Sequence, residues 1–158
     1  MQELNWRVEV PSTDELRKAL ERLTPETSPR WGKMNSSEML FHVAGFGALY
    51  FGEYRIDIMT RVLGYWLGPL FLRSLTRKTP IGETPKNLKT LPSIDVRKIL
   101  PTAGWVELQR SVFNLLDRLD TLDSQTIEHP IYGKMHTEDF STLIRHHTAH
   151  HFHQFGLI

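Results

Sequence analysis

Five of the chain's eight histidines, His146, His147, His150, His151 and His153, lie close together in HHTAHHFHQFG near the C-terminus. Two histidines four residues apart on a helix place their imidazoles on one face, one turn apart, as two ligands of one metal ion require. Projecting the segment at about 100° per residue, with His147 at zero, sets Phe140, Leu143, Ile144, His151 and Gln154 within roughly 60° on either side. His147 and His151 therefore face the core. His146 and His153 project about 100° or more away and His150 falls at the margin, so these three read as solvated or boundary residues. A third inward histidine, His42, shares the apolar face of an earlier helix with Met39, Val43, Phe46, Leu49 and Tyr50. Each could be a core histidine satisfied by a carbonyl or carboxylate. Three together favour one shared cation, because buried imidazoles without partners are costly.

A set of three neutral imidazoles, His42, His147 and His151, suits zinc or nickel, with iron or copper as alternatives, and leaves coordination positions for water or substrate. A divalent ion there would lower the pKa of a bound water and so produce a nucleophile at neutral pH. The chain has no cysteine, so its ligands must be nitrogen or oxygen and any thiol must come from outside. The opposing reading is a non-enzymatic helical bundle whose metal is structural, or one that binds a ligand or partner. No serine nucleophile elbow, glycine-rich phosphate loop or carboxylate pair is present. His129 and His150 are the candidates for a general acid or base. Gln154 projects inward toward the ion's water or a neighbouring helix. Trp31, Gly32 and Met34 precede the His42 helix as a pocket rim or as a hydrophobic staple.

The elements that must position these residues are helices. A chain of 158 residues, 40% hydrophobic and 23% charged, is the size of one domain, here residues 1–158. Its net charge of +1 argues against bulk electrostatic binding of nucleic acid. The N-terminus has no basic start followed by an apolar run, so cytoplasmic residence is the default. Ser12 with Glu15 opens a first helix through Leu23, and Asn35 with Glu38 opens the His42 helix. A third helix is expected from Ile56 to Leu75, bent near Pro69, followed by a proline-rich crossover loop, TPIGETPKNLKTLPS. Within it, Val62 to Leu72 is about half the length that spans a bilayer. It reads as a buried helix, or, with the basic tail Arg73, Arg77, Lys78, Lys86 and Lys89, as a membrane-surface or partner-binding element. Thr102 is placed to cap a fourth helix bearing Trp105, Leu108, Val112, Leu115, Leu116 and Leu119. Thr137 is placed to cap the last, after a turn on Pro130 and Gly133, and Gly156 to end it. Four substantial helices with a short N-terminal one, and almost no alternating pattern, predict an all-α bundle.

The histidine of MLFHVAG (His42) and the late HTAHHFHQ (His147, His151, Gln154) resemble the DinB-like superfamily, which includes YfiT-type metal-dependent hydrolases. RWGKMNSSEMLFH, HPIYGKM and HHTAHHFHQFG, in that order from Arg30 to Gly156, are similar to one branch of it. The resemblance implies a four-helix bundle of up-down-down-up topology, with a divalent metal held by His42, His147 and His151 in an open pocket. It implies hydrolase activity or thiol-dependent transfer, with a small-molecule substrate or thiol as partner, no nucleic acid and no transmembrane segment; a homodimer is left open. Where many relatives carry Arg-Gly-Gln after the last histidine, this chain has Phe152, His153 and Gln154.

Overall fold

The computed structural model describes residues 4, 6–78, 81 and 101–158. The chain is mostly helical, and the described residues form five helices and one small sheet: α1 (Thr13–Glu21), α2 (Ser36–Tyr50), α3 (Ile58–Lys78), α4 (Trp105–Asp120), β1 (Thr126–His129), β2 (Gly133–His136) and α5 (Thr137–Gln154). The first two helices begin as their sequences dictate. Ser12 Oγ accepts from the Glu15 amide while the Glu15 carboxylate accepts from the Ser12 amide, and Asn35 and Glu38 reciprocate in the same way. Each box satisfies two amides that a helix start leaves without partners.

The other two caps differ from expectation. The α4 N-cap is Gly104, with no side-chain hydrogen bond, so Thr102 lies outside the helix. Thr137 is the first residue of α5 rather than its cap: its hydroxyl donates to the Ser124 carbonyl and its amide to that of Gln125, which anchors the strand pair to the helix start. Helix α3 runs through Pro69 to Lys78. The crossover loop, with Lys86 and Lys89, falls almost wholly outside the described residues.

The core lies between α1, α2, α4 and α5, where α1 and α2 each pack on both α4 and α5. Leu16, Leu20, Met39, Leu40, Val43, Val112, Leu116, Phe140, Ile144 and Phe152 are fully buried there. Each such side chain contributes about 1.5–3 kcal/mol by leaving water. The short α1 is thus a full member of this layer, whereas α3 lies outside it and gives the core Leu72 alone among its large apolar side chains with described burial.

An all-α fold is corrected by the strand pair. TIEH and GKMH pair antiparallel, Thr126 opposite His136 and His129 opposite Gly133. Strands of four residues are too short to show a period of two in sequence. The turn between them is tied by a side chain: His129 Nδ1 accepts from the amides of Ile131 (3.0 Å) and Tyr132 (3.1 Å).

Candidate metal centre

Helix α2 supplies His42 and α5 supplies His147 and His151. The two helices pack against each other, and one ligating nitrogen from each histidine lies within 4.8 Å of the other two. Zinc–imidazole bonds of about 2.0–2.1 Å bring ligand nitrogens to within about 4.2 Å of one another, so small rotations of these rings would let one ion bridge all three. Ring centroids are 5.2 Å apart for His42 and His147, 4.8 Å for His42 and His151, and 4.7 Å for His147 and His151. No carboxylate or fourth imidazole joins the group among the described residues.

The hydrogen bonding around His151 settles which nitrogen carries its lone pair. Gln154 Nε2 donates to the Trp31 carbonyl at 2.7 Å, so the amide oxygen is the atom 2.9 Å from His151 Nδ1. That oxygen can only accept; Nδ1 therefore holds the proton in the neutral ring and Nε2 is left as the lone-pair nitrogen. The approach of the Trp31 segment depends on Gly32, at φ 87°, where an added Cβ would stand 2.5 Å from Gln154 Nε2. The Arg30 amide also donates to the Gln154 carbonyl at 2.7 Å.

His147 stacks on Phe46 at 3.6 Å between centroids, 11° from parallel, and its Nε2 is buried without a hydrogen-bond partner. A buried nitrogen of this kind is costly unless something else engages it, and a cation would. Burial, with the neighbouring imidazoles His151 and His42, holds the His147 pKa well below the ordinary 6.5. Burial and then His42 lower that of His151 to about 3. Both rings are consequently neutral at pH 7, the form that ligates metal. The residues present fit a first-row divalent ion.

Of the three α5 histidines read as solvated or boundary residues, His150 and His153 lie at the boundary and His146 does not. His146 is only 2% exposed, beneath Trp6 at 6.0 Å. The N-terminal segment covers that side of α5 because the Asp139 carboxylate accepts from the Leu4 amide and from Trp6 Nε1. His150 and His153 are half-buried with Trp31 ring-to-ring at 6.1 and 5.4 Å. Trp31 therefore packs on α5. His150 borders the triad, 5.2 Å from His151. His129 does not: it is 1% exposed among Tyr50, Tyr132 and Phe140. Burial lowers its pKa to about 3, and it is a residue of the hairpin rather than an acid or base at the site. Glu38 is used in its cap, accepting from the Asn35 amide.

Two contacts of the site were not assigned from sequence. Phe46 follows His42 by one turn, so its place beside the triad was available from spacing alone. The Gln154–Trp31 bond was not, because it joins residues 123 positions apart. Compared with models of protein families, with curated proteins and with solved structures, the chain matches none.

Proposed function

We propose that the chain is a DinB-like metal-dependent enzyme, a one-domain four-helix bundle of up-down-down-up topology in which α1, α2, α4 and α5 are the bundle helices. In this reading His42, His147 and His151 hold one divalent ion, zinc or nickel before iron or copper. The observation that carries it is the convergence of three imidazoles with no fourth protein ligand among the described residues, since a site closed only by three side chains keeps positions for exogenous molecules. A bound divalent ion supplies Lewis-acid chemistry, making water or a small thiol nucleophilic near neutral pH. The reaction is hydrolysis or thiol-dependent transfer on a small substrate. Gln154 holds His151 in the ligating tautomer, Phe46 fixes the His147 ring from one side and keeps water from it, and Trp31 covers His150 and His153.

The test is a metal analysis followed by a soak. Protein purified from cells should contain about one equivalent of divalent ion per chain. A crystal soaked with that ion and a small thiol should show the thiol sulfur or a water in an open coordination position. An ion capped by a fourth side chain of the protein would favour the structural reading instead.

A further inference from the structure

The two α5 ligands are oriented by different means. Gln154 holds the Nδ1 of His151, whereas no hydrogen bond to the His147 ring is present among the described residues. Rotation of an imidazole about its Cβ–Cγ bond meets only a broad preference, so a ligand without such a partner needs packing to hold it. Phe46 supplies one wall, stacked at 3.6 Å on His147. His42, Phe46 and Tyr50 follow one another at intervals of four along α2 and so share a face. The buried Tyr50 backs Phe46 at 4.1 Å between centroids.

Tyr50 is the last residue of α2, and helix ends fray unless something holds them. Here the hairpin does so. The Tyr50 hydroxyl donates to that of Tyr132, and its ring meets His129 edge to face at 4.2 Å. Tyr132 also stacks on His129 at 4.5 Å, and its amide is one of the two that His129 Nδ1 accepts. The turn is seated in its turn on α3, where a Cβ on Gly64 would meet Ile131 Cγ2 at 2.0 Å and one on Gly68 would meet Tyr132 Cδ1 at 2.5 Å. Gly64, Gly68 and the buried Leu72, at intervals of four, form a single ridge. The large side chains of α3 are consequently turned outward, Trp66 73% and Leu70 64% exposed. Contacts thus run without a break from that ridge through Tyr132, Tyr50 and Phe46 to His147.

We propose that Tyr50, tied down by the hairpin turn, is a positioning residue for the metal ligand His147 and acts through Phe46. The inference rests on the three-histidine metal reading and extends it to residues that never meet the ion. Packing does for His147 what a hydrogen bond does for His151. Removing the Tyr50 ring opens a gap behind Phe46, and both Phe46 and His147 gain room to rotate.

Titration of the full chain with cobalt(II) tests it, because the visible absorption of that ion reports the geometry of its ligands. Tyr50→Leu should still take up one equivalent at saturation, with a changed spectrum and an affinity about 10- to 100-fold weaker. Tyr50→Phe keeps the ring and should recover most of this, to within about threefold of the parent. Tyr132→Phe removes the same hydrogen bond from its other end and should match Tyr50→Phe in spectrum and affinity. Leu20→Ala, at a fully buried position of α1, should lower the melting midpoint without moving either readout. A parent chain that binds no cobalt would remove the metal reading and this inference with it. Cobalt bound by the parent, with spectrum and affinity unchanged in Tyr50→Leu, would overturn the positioning role alone. So would an effect of Leu20→Ala as large as that of Tyr50→Leu. Should Tyr50→Leu fail to fold, Tyr132→Phe decides, and cobalt binding identical to the parent's would overturn the proposal.

Discussion

His129 in the hairpin and His151 on α5 are both buried, and burial lowers both pKa values to about 3. They are opposite in every respect that bears on chemistry. His129 Nδ1 accepts two backbone amides, so in the neutral ring its proton sits on Nε2, which has no hydrogen-bond partner and is enclosed among Tyr50, Tyr132 and Phe140. His151 Nδ1 donates to Gln154, so its lone pair is at Nε2 beside two further imidazoles. A depressed histidine pKa thus reports burial in both places. The tautomer, and what the other nitrogen meets, separate a histidine that ties a turn from one that can bind a cation.

The sharpest way to break this contrast is to remove each ring and measure metal. His147→Ala or His151→Ala should reduce bound metal from about one equivalent to near none by elemental analysis. His129→Leu should leave the stoichiometry unchanged; a loss equal to that of His151→Ala would erase the distinction. The same His129→Leu protein should be destabilised by roughly 2–4 kcal/mol in urea unfolding, because two amides of the turn lose their acceptor. Gln154→Leu should retain the fold and lower metal affinity about 10- to 100-fold, since the His151 tautomer is no longer fixed. Isothermal titration measures this, and an unchanged affinity would show that Gln154 only packs.

The contrast also reaches the acid stability of the metal-free protein. Both folded pKa values, about 3, lie below the ordinary 6.5, so between those limits the unfolded chain binds more protons than the native one. The stability present above about pH 6.5 is therefore lost as pH falls toward 3, at about 1.4 kcal/mol per pH unit for each ring. Urea titrations at several pH values should show His129→Leu and His151→Ala each flattening that slope by about one such increment. Excess metal should leave the His129 share in place.

Much of the scaffold was legible because its signals are local. The boxes Ser12 with Glu15 and Asn35 with Glu38 close over three residues, and the stripe from Leu108 to Leu119 repeats at helical spacing and is buried. Facing brought His42, His147 and His151 into one candidate group, and their nitrogens do converge. It misplaced His146, since a helical projection shows where a side chain points relative to the core but not what else folds over the opposite side. Trp6 and Leu4 do so through Asp139, 133 and 135 residues away. The apolar run from Val62 to Leu72 read as interior for a related reason: hydropathy does not distinguish a helix whose large residues face inward from one whose glycines do.

Sequence by itself determined which stretches are helical and which three histidines share inward faces, because period and capping act within a few residues of the chain. Only the tertiary structure decided the lone-pair nitrogen of His151, the burial of His146 and the outward turn of α3. Each of these depends on a contact between distant segments: Trp31 with Gln154, the N-terminal segment with α5, and the hairpin turn with the Gly64–Gly68 ridge.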